Sequence, residues 1–245
     1  MKMNLRSILT GLLLVLFLAG TILFIKRSKS ARVVPPQSAA GASNLRTALK
    51  VQGPATAPVK LVEYSDFECP SCRAVQTDIR GLFKNYPGKI QLTFKHYPLT
   101  SHKWSIYAHQ AAECMNAQGK FWPYYEKLYE KQPVWTVSTV APVEILAQYA
   151  RDLSADMDRF GKCMMDVSVT REIYAEKEEG NSRQVNATPT FFLGEARFVG
   201  PREMQERGVN AIRKVLGLSP LPVPERKEEP AAPAFSAGIP KQKVS

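Results

Sequence analysis

Acidic residues are missing from the first 54 positions of this 245-residue chain, which carry eight Lys and Arg. The rest is close to neutral: residues 55–217 hold 21 basic and 19 acidic side chains, and residues 218–245 hold four and three. Most of the formal net charge of +11 therefore belongs to the N-terminal arm, where it suits a membrane surface. The body lacks the basic excess that phosphate binding needs, which excludes nucleic acid as a partner. Cysteine is scarce as well. Of four, only Cys69 and Cys72 are closely spaced; Cys114 and Cys163 stand apart, and His96, His102 and His109 make no ligand-spaced pair. A structural zinc site draws four ligands, often as a second C-x-x-C or an H-x-x-x-H, so no metal is expected.

The chain is long enough for one well-buried domain with extensions. An uncharged run of 18 residues, Ile8 to Ile25, follows Lys2 and Arg6. As a helix it is roughly 27 Å long, enough to cross a bilayer. Residues 1–27 are read as an uncleaved single-span anchor, the alternative being a removed signal peptide. Lys26, Arg27, Lys29 and Arg32 outnumber the basic residues ahead of the run. Charge counting alone thus leaves the body in the cytoplasm. Four cysteines, two of them in a disulfide, make better sense in an oxidising compartment, and that argument takes precedence. Residues 28–54 read as a flexible linker, 55–217 as the domain, and 218–245, with six prolines, as a disordered tail.

The domain is organised around Val62-Glu63-Tyr64-Ser65-Asp66-Phe67-Glu68-Cys69-Pro70-Ser71-Cys72. Val59 to Tyr64 read as a buried strand and Arg73 to Tyr86 as a helix, so the C-x-x-C sits where strand hands over to helix N-terminus. Unpaired N–H groups and the helix dipole there favour a thiolate. Pro70 suits the first helical position, leaving Cys69 as cap and nucleophile and Cys72 as its buried partner. Lys89 to His96 form a second strand with Ile90, Leu92 and Phe94 on one face. Residues of about 101–181 then have helical spacing throughout. Cys114 and Cys163 fall in two of these helices beside apolar residues and can bond; two buried free thiols are the alternative. Thr190 to Leu193 read as a strand, Arg197 to Val199 as its hairpin partner, and Pro201 to Leu216 as a closing helix with Met204, Val209, Ile212 and Val215 inward.

Strand, C-x-x-C helix, strand, helical block, strand pair and helix follow in that order. With V-E-Y-S-D-F-E-C-P-S-C, T-F-K-H-Y-P-L, A-A-E-C with Q-G-K-F-W, F-G-K-C and A-T-P-T-F-F-L-G, the chain resembles the DsbA family of thiol–disulfide oxidoreductases. The resemblance implies an α/β thioredoxin fold with an inserted all-helical subdomain, a redox disulfide between Cys69 and Cys72, and a structural one between Cys114 and Cys163. Pro189 would be the cis proline facing the cysteines, with the Thr188 backbone turned toward an extended client chain. Glu63 and Lys95 match family positions where a partly buried ion pair would relay the proton of Cys72. No metal or organic cofactor is implied. The implied partners are unfolded or thiol-containing exported proteins and a membrane redox protein, either a quinone-linked oxidase or a reductant-transferring protein. The implied place is the bacterial inner membrane, with the catalytic domain on the periplasmic side.

Two departures bear on direction. The family's C-P-H-C is Cys69-Pro70-Ser71-Cys72 here, and Asp66 and Glu68 are expected to raise the cysteine pKa if close. Both point to a less oxidising disulfide. An oxidase is the leading expectation. A reductase or isomerase, a dedicated reductant for a client such as apocytochrome c, and a chaperone-like binding module are the alternatives.

Overall fold

The computed structural model describes residues 50–222. The expected anchor at 1–27, nearly all of the 28–54 linker and most of the 218–245 tail lie outside the described residues. Among the described residues no helix is long and apolar enough to cross a membrane.

Among the described residues five strands form one sheet, in the spatial order β1 (Val51–Gln52), β3 (Ile90–His96), β2 (Val59–Ser65), β4 (Thr190–Leu193) and β5 (Ala196–Val199). At its centre, β2 (Val59–Ser65) and β3 (Ile90–His96) run parallel, Val59 opposite Ile90 through Ser65 opposite His96. Parallel neighbours need a crossover, and α1 (Pro70–Ala74) with α2 (Gln76–Asn85) supplies it. In β3 strict alternation buries Ile90, Leu92, Phe94 and His96. On the other side β4 (Thr190–Leu193) pairs antiparallel with β2, and β5 (Ala196–Val199) closes the hairpin through Gly194, whose φ of 58° suits glycine.

Between β3 and β4 the chain builds six helices: α3 (Ser105–Asn116), α4 (Phe121–Glu130), α5 (Gln132–Trp135), α6 (Val143–Asp152), α7 (Met157–Met164) and α8 (Val167–Ser182). Their core joins Ala108, Ala112, Met115, Tyr124, Leu128 and Trp135, and continues onto Phe67 and Phe94 of the sheet side. Cys114 on α3 and Cys163 on α7 are disulfide-bonded, with Cα atoms 5.6 Å apart.

Two boundaries differ from expectation. Val51–Gln52, expected in the linker, form β1, pairing antiparallel with Thr93 and Leu92 at the sheet edge. Two residues are too few to show a period, so nothing in the local pattern announced them. The closing helix is not uniform either. It runs as α9 (Gly200–Glu203), a π turn (Met204–Gly208) and α10 (Val209–Val215). The wider turn shifts the face that follows it. Met204 and Ile212 are buried, whereas Val215, expected inward, is 48% exposed.

Candidate active site

Cys69 is the N-cap of α1 in extended conformation, with Pro70 in the first turn. Its C=O accepts the Arg73 N–H at 3.1 Å, and its own N–H donates to the Asp66 C=O at 3.1 Å. Both cysteines are free thiols, Cys69 6% exposed and Cys72 fully buried. The Thr188–Pro189 peptide bond is cis and sets the Thr188 carbonyl 3.5 Å from Cys69 Sγ. Gln132 Nε2 donates to the carbonyls of Phe67 at 2.8 Å and Cys69 at 3.0 Å, tying α5 to the loop that carries the nucleophile.

The two sulfurs are held in opposite protonation states. The Cys72 thiol bonds to Cys69 and, against burial, lowers its pKa to about 5. Thr188, whose hydroxyl otherwise has no partner, and the N–H groups of Cys72 and Ser71 act the same way. Burial first, then the Cys69 sulfur beside it, pushes Cys72 well above its ordinary value. Near neutrality Cys69 is a thiolate and Cys72 a thiol.

Glu63 is fully buried on β2. Tyr125 OH donates to its Oε2 at 3.1 Å, while Oε1 has no hydrogen-bond partner among the described residues. Burial raises its pKa to about 7, the bonds from Ser65 and Tyr125 only partly opposing it. The expected ion pair with Lys95 does not form. In the parallel register Lys95 stands opposite Tyr64, one residue on from Glu63, so alternation puts the two side chains on opposite faces. Lys95 Nζ instead meets Glu179 at 2.8 Å and Glu176 at 3.9 Å on α8, and Tyr64 OH donates to the same Glu179 at 2.8 Å.

Asp66 and Glu68 do not raise Cys69 as expected, because their charges are taken up by the segment that follows β3. Asp66 Oδ2 accepts Leu99 N–H and His102 Nδ1, both at 2.8 Å, and Oδ1 accepts Glu68 N–H at 2.9 Å and Ser105 Oγ at 2.7 Å. Glu68 Oε2 accepts Trp104 N–H at 2.6 Å. Burial alone would raise Asp66, but the bond from His102, the His109 ring 3.6 Å from Oδ1 and the Leu99 N–H outweigh it and hold the carboxyl far below its usual range. The bond to Asp66 in turn raises His102. His102 and His109 were passed over in the sequence because no spacing links them to residue 66; only the fold brings them together.

A family model described as Thioredoxin matches residues 47–210. Among solved structures, BdbD from Bacillus subtilis in its oxidised form is 25% identical, with a TM-score of 0.58 over 69% of this chain and 93% of that one. Wolbachia pipientis alpha-DsbA1 shares the fold at 21% identity and a TM-score of 0.61, over 69% and 91% of the two chains. The Na(+)/H(+) antiporter NhaA 3 of Salinispora tropica is 34% identical over 156 residues, 63% of this chain but 23% of that protein. NhaA 1 of Salinispora arenicola is 31% identical over 73% of this chain and 26% of its own length. The chain spans about a quarter of the length of these curated relatives, so the likeness concerns this domain.

Proposed function

The chain belongs to the thioredoxin family and is a DsbA-like thiol–disulfide oxidoreductase; on that premise we propose that it donates disulfides to exported proteins. The observation that carries this is the asymmetry of the cysteine pair. Cys69 is a helix-capping thiolate that keeps a small exposed edge, and Cys72 is a fully buried thiol. A stabilised Cys69 thiolate favours the dithiol over the disulfide and so makes the disulfide a better oxidant. That weighs against the loss of histidine from the C-x-x-C.

In the forward reaction a client thiolate attacks Cys69 Sγ, the Cys69–Cys72 bond breaks, and Cys72 leaves as a thiolate that takes a proton. A second client thiolate attacks the client sulfur of the mixed disulfide and displaces Cys69. Glu63, raised to about 7 and sharing the buried pocket of Tyr125 and Tyr129 with Cys72, is the acid suited to protonate Cys72. The client backbone lies extended beside Thr188, where Pro189 turns the carbonyl toward the nucleophile. The mechanism gives Lys95 no part, since it lies on the far face of the sheet. Residues 8–25 anchor the chain with the domain on the extracytoplasmic side, a placement that the Cys114–Cys163 bond supports. A membrane redox protein reoxidises the dithiol. Replacing Cys69 by Ser is expected to abolish exchange with a reduced client; full activity in that variant refutes the reading.

A further inference from the structure

The helical insertion grips the C-x-x-C loop through two neighbouring residues. Tyr129, in the last turn of α4, bonds through its OH to Ser65 Oγ at 2.9 Å at the end of β2, and its C=O accepts Arg73 Nε at 3.1 Å on α1. Those two bonds flank the nucleophile without reaching it. Gln132, the first residue of α5, reaches it. Its Nε2 donates to the Phe67 C=O at 2.8 Å and to the Cys69 C=O at 3.0 Å. Among the described residues no other side chain of the insertion bonds to Cys69, and the Phe67 C=O accepts from Gln132 alone.

The chemistry of these contacts fixes the amide. Both partners are carbonyls, which only accept, so the NH2 end of Gln132 must face them and both of its hydrogens are used. The base of the side chain is held as firmly as its tip. Gln132 is buried, and Trp135, fully buried in the helical core, fastens the short helix through an Nε1 donor to the Leu128 C=O at 2.9 Å. The Gln132 C=O accepts the Thr136 N–H at 3.1 Å and Thr136 Oγ1 at 2.8 Å. A rigid element thus carries the donor to the loop.

The loop has a use for such a hold. Cys69 is extended, with φ −72° and ψ 122°, while the residues after it are helical. The plane of the peptide group that follows Cys69 therefore decides where its sulfur lies relative to the N–H groups of Ser71 and Cys72, which help to hold the thiolate. The Cys69 C=O belongs to that plane and is tied on two sides, by the Arg73 N–H at 3.1 Å and by Gln132. The amide has an electrostatic effect too. It caps the negative ends of two carbonyl dipoles close to a sulfur that must carry negative charge, and bare carbonyls there would oppose that charge.

Resting on the assignment of Cys69 as nucleophile above, we propose that Gln132 is a positioning residue for the exchange, fixing the Cys69 peptide group so that the sulfur stays over the open N–H groups of α1. It bonds to neither sulfur and acts only through the two carbonyls. The insertion thereby does more than cover the sheet: one of its side chains sets the reactivity of a cysteine carried by the strand–helix junction.

The test is the titration of Cys69 in the reduced full-length protein, read from the pH dependence of its alkylation. The unmutated chain is expected to show a midpoint of about 5. Gln132→Leu keeps the bulk and loses both donors. Its midpoint is expected to rise by roughly one pH unit, and its equilibrium with glutathione to move about tenfold toward the disulfide. Thr136→Val is the control. It cuts a bond within α5 and leaves the Gln132 amide in place, so thermal stability is expected to fall while the midpoint stays. A folded Gln132→Leu with the unmutated midpoint overturns the inference. So does an equal rise in Thr136→Val, which makes looseness of α5 the cause. If Gln132→Leu does not fold, nitrogen spectra of the Gln132 side-chain amide in the unmutated reduced chain decide. Those signals are expected to shift with the midpoint of the Cys69 sulfur, and signals that stay still through that range overturn the inference. Exchange that survives Cys69→Ser removes the nucleophile and both readings, whereas a normal nucleophile whose midpoint ignores Gln132 removes this one alone.

Discussion

Strands β2 and β3 change character halfway along. Their first halves carry Val59, Leu61, Ile90 and Leu92 into an apolar core with Val75, Ile79, Phe191 and Ile212. Their second halves and the turn beyond bury Glu63, Ser65, Asp66 and His96 just as deeply. Burial is the same at both ends, but only the first gains stability from it directly. At the second end two carboxylates three residues apart have opposite fates. Asp66 has four donors within 2.9 Å and is ionised, whereas Glu63 has an oxygen without a partner and is raised to about 7. One end of the sheet holds the fold, and the other spends part of that stability on proton chemistry.

The sharpest way to break this contrast is a substitution at each end. Cys69→Ser should abolish disulfide exchange and leave a folded chain by circular dichroism, while removing the thiolate that the fold stabilises. Leu92→Ala should do the reverse. It removes a fully buried side chain and should cost about 2–5 kcal/mol in denaturant unfolding, yet leave the alkylation of Cys69 titrating with a midpoint of about 5. Glu63→Gln sharpens the contrast within the second end. A carboxyl whose folded pKa is raised gives stability below its unfolded value and loses it as pH climbs through about 7. The amide should therefore gain roughly 2–3 kcal/mol near about pH 8 and much less near about pH 5, with slower exchange. Lys95→Ala should matter least. Its partner Glu179 is 45% exposed, so a salt-dependent loss below about 1 kcal/mol and unchanged exchange are expected.

The alternation of Ile90, Leu92 and Phe94, the helix spacing between β3 and β4, and the C-x-x-C with Pro70 at a helix start were all legible in the chain. Each is a local pattern with a local cause. The Cys114–Cys163 bond was legible as a possibility, since each cysteine sits beside apolar residues of its own helix. What could not be read is what depends on register or on distant convergence. Glu63 and Lys95 lie 32 positions apart whereas the register pairs residues 31 apart, and that one residue of offset decides whether they share a face. Asp66, His96, His102 and His109 meet only because the segment after β3 folds back over the C-x-x-C loop. Without that convergence Asp66 and Glu68 looked like charges that would weaken the thiolate.

The measurement closest to the central claim is the reduction potential of Cys69–Cys72 in the full-length protein, read by glutathione titration. A helix-capping thiolate with a midpoint of about 5 should place it on the oxidising side, nearer about −120 mV than about −270 mV. A potential near about −270 mV would contradict the account and make the protein a reductant fed with electrons from elsewhere.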